Sequence, residues 1–134
     1  MSTTTWYEAF DFCDTLPPVQ IGLEYRYPSL LVFESFVEFD FFVNEIASNN
    51  SSPSDSYWLN CNDLAVEGEW ICLVDREGNT TQFRNWRTGE PNNWHNGVDG
   101  QDCGRSWYET FEYDDLFCDN NGKVKPACHV RVSP

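Results

Sequence analysis

The first periodic stretch is "TWYEAFDFC", where Thr5 and Glu8 stand three residues apart and Trp6, Phe10 and Cys13 recur at helical spacing. A hydroxyl before the first turn and a carboxylate three residues on form a capping box, so the pattern predicts a helix with one buried stripe. The Pro17–Pro18 pair in "DTLPPVQIGLEYRYP" breaks that helix, and the stretch reads as a loop. "SLLVF" is short and apolar, a candidate strand. A second capping box, Ser35 with Glu38, introduces Phe36, Phe39, Val43 and Ile46. Their i, i+3, i+7, i+10 spacing predicts a second helix with an aromatic face in the core. "ASNNSSPSDS" is a polar, proline-containing loop.

From Tyr57 the period shortens. "YWLNC" and "EWICLVD" are apolar runs, "DREGNTT" is a turn rich in breakers, and "TQFRNW" resumes alternation. "KPACHVRV" closes the chain as a last strand. Helices followed by irregular antiparallel strands predict an α+β fold. No repeat, linker or low-complexity run marks a second domain, so residues 1–134 are expected to form one.

Composition narrows the function. A 16% aromatic content excludes a disordered chain, and a formal charge of -14 with only eight Lys and Arg excludes nucleic acid and anionic membranes as partners. Most of the acid excess reads as a solvated surface. The remainder gathers in "GEPNNWHNGVDGQDCGRSWYETFEYDDLFC", Gly89 to Cys118, beside Asn and Gln amides and without a catalytic nucleophile. Such a set suits a hard cation that prefers oxygen ligands. The six cysteines include no C-x-x-C pair, which argues for disulfides over zinc. Asn49, Asn50 and Asn79 lie in glycosylation sequons, as expected of an exported protein. No signal peptide or membrane span is evident, so a secreted chain or an ectodomain piece that has lost its targeting segment is expected. The only histidines, His95 and His129, have no nucleophile at catalytic spacing, and no acid pair is left in an apolar pocket. The expectation is a binding domain and not an enzyme.

Several features then coincide in order: "WYEAFDFC", "YWLNC" with "EGEW", "NW" before "GEPNN", "QDC", "YDDLFC" and the terminal "ACHV". Together they resemble the C-type lectin-like domain family over nearly the whole chain. The resemblance implies two helices flanking small antiparallel sheets, with a long calcium-binding loop region. It implies bridges Cys13–Cys128 and Cys103–Cys118, which leaves Cys61–Cys72 as an extra pair. "WLNC" and "WIC" stand where the family has "WIGL" and "W-x-W", so both departures introduce a cysteine. Tyr113 replaces a usual Trp. The family also has a strand before the first helix, whereas five residues precede Trp6 here; either that strand is missing or the sheet is completed differently.

By the same resemblance, Glu90, Asn92, Gln101, Asp114 and Asp115 would bind a principal Ca²⁺, with Pro91 in a cis peptide. Asp63, Glu67, Asn93 and Asp102 match an auxiliary site, although Asn93 replaces a position that is often Asp. A sugar hydroxyl on the metal needs one acceptor for its proton and one donor for its second lone pair. Glu90 with Asn92 and Gln101 with Asp114 supply two such acid–amide pairs.

In the family, EPN members that prefer mannose, glucose, GlcNAc or fucose have a second pair running Glu then Asn. Here it runs Gln101 then Asp114, and that exchange suits the equatorial and axial hydroxyls of galactose or GalNAc. Trp94 and Trp107 are candidates for packing on the apolar face of the sugar. The expected ligand is a glycan ending in galactose or GalNAc. A mannose-type ligand comes second, and a relative that binds protein or ice is the rival. No coiled coil or spare cysteine fixes an oligomer, although one would strengthen weak single-site binding.

Overall fold

Thr5 Oγ1 accepts from the Glu8 amide at 3.0 Å, and the Glu8 carboxylate accepts from the Thr5 amide at 2.8 Å. This reciprocal cap starts α1 (Trp6–Asp14). The computed structural model describes residues 2–47, 55–92 and 100–132. The buried stripe of α1 is Trp6, Ala9 and Cys13; Phe10 is half-buried and stacks on Trp6.

The segment expected as a loop holds a hairpin. β1 (Val19–Ile21) pairs antiparallel with β2 (Glu24–Arg26). Gly22 sits at φ 62, a conformation that only glycine adopts without strain, and it turns the chain between them. The prolines end α1 but leave the residues beyond free to pair.

α2 (Phe36–Phe41) begins where Ser35 Oγ accepts from the Glu38 amide at 3.3 Å. The expected box is only half formed, because the Glu38 carboxylate accepts from the Glu34 amide at 2.9 Å. Past Phe41 the winding loosens into a π-helical segment, Phe42–Ala47, which rotates later side chains off the helical stripe. Of the four expected core residues only Phe39 is buried; Phe36 is 59% exposed and Ile46 41%.

"SLLVF" forms a strand only at β3 (Ser29–Leu30), which pairs antiparallel with β9 (Cys128–His129). Leu31 then joins the two sheets. Its amide donates to the Ala127 carbonyl at 2.9 Å, and its carbonyl accepts from the Asn60 amide at 2.8 Å. The larger sheet contains β4 (Trp58–Asn62), β5 (Ile71–Leu73), β6 (Thr80–Thr81), β7 (Cys103–Ser106) and β8 (Tyr113–Leu116). Its order is β6-β5-β4-β7-β8, with every pair antiparallel and β8 at one edge.

"TQFRNW" does not extend β6. Arg84 donates instead to the carbonyls of Thr81 and Trp70 at 2.8 and 2.9 Å, so a side chain takes up groups that a ladder would have paired.

Two apolar clusters meet at the large sheet. One packs α1 on Trp58, Leu116 and Val124; the other gathers Leu31–Phe33, Phe39, Leu59, Val74 and Tyr113. Each large aliphatic or aromatic side chain buried here contributes about 1.5–3 kcal/mol. The indole N–H groups are satisfied at 2.8 Å, Trp6 on the Leu59 carbonyl and Trp58 on that of Thr4. Tyr113 is fully buried, and its hydroxyl accepts from the Phe33 amide at 3.4 Å.

Disulfides join Cys13 to Cys128, Cys61 to Cys72 and Cys103 to Cys118. Cys61 and Cys72 are directly opposed on β4 and β5. A Cβ at Gly104 would lie 3.2 Å from Cys61 Cβ, so a side chain on β7 would crowd that bridge. Among the described residues no helix is long and apolar enough to cross a membrane.

Candidate functional site

The backbone docks residues 85–90 against β8 and so delivers Glu90 to the sheet edge. Tyr113 N donates to Asn85 O at 2.7 Å, Arg87 N to Tyr113 O at 2.8 Å, and Glu90 N to Arg87 O at 2.8 Å. The Glu90–Pro91 peptide is cis. Glu90, Asp114 and Asp115 each then offer a carboxylate oxygen within 4.8 Å of the others. Asn92 joins them, its amide donating to Asp115 Oδ1 at 3.3 Å and its side chain to Glu90 Oε2 at 3.2 Å.

This cluster is withdrawn from water and crowded with like charge. The Glu90 side chain is 6% exposed, and Asp114 and Asp115 are buried. Burial first, then the Asp115 and Asp114 carboxyls, push Glu90 up to about 8. Glu90 Oε1 is buried without a hydrogen-bond partner among the described residues. A buried oxygen of that kind is costly unless a further group satisfies it. Three carboxylates with no nitrogen or sulfur donor fit a hard divalent cation such as Ca²⁺.

Asp63, Glu67 and Asp102 form a second group within the same 4.8 Å limit. The Asp63 amide donates to the Asp102 carbonyl at 3.0 Å, and Asp63 Oδ2 accepts from the Gly68 amide at 2.9 Å. Oδ1 of Asp63 and Oδ1 of Asp102 are buried without partners among the described residues. Burial, then the Asp63 carboxyl, raise Asp102 to about 7, and the hydrogen-bonded Asp63 carboxyl raises Glu67.

The other expected residues are less gathered. Gln101, half-buried just before β7, makes no hydrogen bond to the first cluster among the described residues. Trp107 lies just past β7, in the turn to β8, and not on the strand itself. Asn49, Asn50, Asn93, Trp94 and His95 lie outside the described residues. Asn79 is exposed, and its side chain donates to Asp75 Oδ2 at 2.7 Å.

Two arginines at the site were not singled out from the sequence. Arg105 donates to Asp114 Oδ2, and Arg87 lies 3.9 Å from Glu90 Oε2. Both guanidiniums also approach the Trp107 ring, at 3.8 Å for Arg87 and 5.4 Å for Arg105. The available signal was their scarcity: two of eight basic residues flank the acid-rich segment or fall inside it.

No protein-family model matches the chain. Lectin BRA-3 from Megabalanus rosa is 35% identical over 82 residues, 60% of this chain and 43% of that protein. The chain thus spans less than half the length of that relative. C-type lectin 37Db from Drosophila melanogaster is 31% identical over 120 residues, 88% of this chain and 67% of that protein. Among solved structures, C-type lectin CEL-I from Cucumaria echinata superposes with a TM-score of 0.67 at 21% identity, covering 87% of this chain and 77% of that one. The fold is therefore the C-type lectin fold, and the match across two thirds of the Drosophila protein carries the assignment: the chain belongs to the C-type lectin family.

Proposed function

We propose that this domain binds carbohydrate through a Ca²⁺ ion, with terminal galactose or GalNAc as the preferred ligand. The family is non-enzymatic, and its members support a carbohydrate-binding role in general. The observation that carries the calcium reading is the Glu90, Asp114 and Asp115 cluster, in which Glu90 Oε1 is buried without a partner among the described residues. Glu90, Asn92, Asp114 and Asp115 would hold the ion, with Gln101 as the fifth ligand from the chain. When bound, the ion accepts lone pairs from sugar hydroxyls and offsets the repulsion among the carboxylates. Glu90 and Asp114 then accept hydroxyl protons, while Asn92 and Gln101 donate to the remaining lone pairs. The Asp63, Glu67 and Asp102 group is the candidate auxiliary site, which would brace the same segment through Asp102 beside Gln101.

The galactose preference rests on the order Gln101 then Asp114, which opposes that of Glu90 and Asn92. Trp107, half-buried in the β7–β8 turn, would be the aromatic that packs on the apolar sugar face. Three disulfides fit an oxidising, extracellular setting. A competition assay on immobilised galactose in millimolar Ca²⁺ tests the specificity. Free galactose is expected to displace the protein at lower concentration than free mannose; the reverse order returns the domain to mannose-type sugars. Failure to bind either sugar assigns it to the relatives that bind other ligands.

A further inference from the structure

The chain has only two lysines, and in a molecule of charge -14 both face the cavity that Arg105 faces. Lys123 and Lys125 approach from the segment before β9. Arg105 comes from β7, and Trp107 and Tyr108 form a wall from the following turn. The cavity is about 630 Å³, large enough for a sugar unit.

Its charges are only partly neutralised within the chain. Asp55, the acidic residue on its wall, binds Lys125 Nζ at 2.8 Å. Arg105 holds Asp114 through Nε and Nη2, and its Nη1 carries no bond among the described residues. Lys123 is exposed and forms no ion pair among the described residues. Arg105 and Lys125 are thus each held by one carboxylate, and Lys123 is the cation on this wall left to meet a bound anion. The Trp107 and Tyr108 rings lie 4.7 Å apart and add an apolar surface of the kind that packs against pyranose C–H groups. A long polyanion would meet the acidic remainder of the surface, so one anionic group on a sugar fits better than a nucleic acid or a membrane.

Arg105 also connects this cavity to the carboxylate cluster, because the same guanidinium touches Asp114. We propose that the Arg105, Lys123 and Lys125 cavity is a subsite for the anionic group, a sulfate ester or a carboxylate, of an acidic sugar unit. It extends the glycan-binding reading above and rests on it.

Isothermal titration of the chain in millimolar Ca²⁺ tests this with galactose, galactose 6-sulfate, galacturonate and sodium sulfate as probes. At least one acidic sugar is expected to bind about fivefold or more tighter than galactose, an advantage that shrinks as salt rises. Comparing the sulfated and carboxylated probes identifies the anion. Lys123→Ala is expected to remove the advantage and leave galactose binding unchanged. Equal affinity for all three sugars overturns the proposal, as does an advantage that survives both Lys123→Ala and Lys123→Glu. Sodium sulfate binding as tightly as the sulfated sugar also overturns it, since the sugar ring then contributes nothing. If galactose shows no Ca²⁺-dependent binding while an acidic sugar keeps its Lys123 dependence, the calcium-lectin reading fails and the subsite stands. If no sugar binds, both fall.

Discussion

Arg105 donates to Asp114 Oδ2 from Nε at 3.3 Å and from Nη2 at 3.0 Å, so a guanidinium holds one of the three clustered carboxylates. The pair is largely buried, with side-chain exposures of 14% and 6%. Replacing Arg105 by Gln removes a positive charge from beside Glu90, Asp114 and Asp115. The metal-free protein should lose about 2 kcal/mol of stability, because a charged hydrogen bond is broken and repulsion within the cluster rises. Calcium affinity should rise severalfold, since no fixed cation then competes for Asp114. Thermal melts in chelator and a calcium titration of the same variant check both signs. Unchanged calcium affinity would show that the ion pair does not compete with the metal.

The sugar preference is predicted to depend on residues 101 and 114 together. The double substitution Gln101→Glu and Asp114→Asn restores the order acid then amide at the second pair while keeping two ligand groups. Preference should shift from galactose toward mannose by about tenfold or more, because the galactose hydroxyl at that pair then meets a donor where it needed an acceptor, and an acceptor where it needed a donor. Parallel inhibition curves with the two sugars give the ratio. A double variant that keeps its galactose preference would remove the pairing argument.

Proton binding gives a signed prediction for the metal-free protein. Glu90 is held at about 8 and Asp102 at about 7, against ordinary values of 4.5 and 3.8. From about pH 6.5 up to about pH 8 the folded chain therefore retains protons that the unfolded chain has released, and stability falls as pH rises. His129 is pushed down to about 4 by burial from 6.5, so it acts below this window and not within it. Melting temperature in chelator should decrease across the window. Saturating Ca²⁺ displaces those protons, so the stabilisation it adds should be larger at the alkaline end. A metal-free melting temperature that climbs with pH would contradict these assignments.

The Cys61–Cys72 bridge should contribute stability without touching the site. It closes a loop of sequence separation 11, for which loop entropy gives about 3 kcal/mol. The Cys61→Ala and Cys72→Ala double variant is expected to lose about that much in urea unfolding and to keep its sugar binding. A loss below about 0.5 kcal/mol would show that the β4–β5 pairing holds without the bridge.

How much of this was legible in the sequence depended on how local the signal was. α1 followed from Thr5 and Glu8, since both partners of the cap lie within one turn. α2 misled because its box splits, with Glu38 reaching Glu34 in place of Ser35, and because the π-helical turn moves Ile46 off the stripe. The β1–β2 hairpin was hidden behind Pro17 and Pro18, although Gly22 stood at its turn. At the site, the acids were legible from their resemblance to a family pattern. Arg105 was not, because its partnership with Asp114 is set by the β7–β8 register, which places residues 105 and 114 opposite each other. The gathering of Lys123 and Lys125 with Arg105 is tertiary in the same sense.

The most direct test of the central claim is a galactose titration of the wild-type chain and Glu90→Gln, each in about 5 mM Ca²⁺ and again in chelator; extracellular calcium modules bind in the ~10⁻⁴ to 10⁻³ M range. Wild-type protein should bind galactose only with Ca²⁺ present, and Glu90→Gln should lose that binding while keeping its fold. Galactose binding that persists in chelator, or in Glu90→Gln with Ca²⁺, would contradict a metal held by Glu90, Asp114 and Asp115.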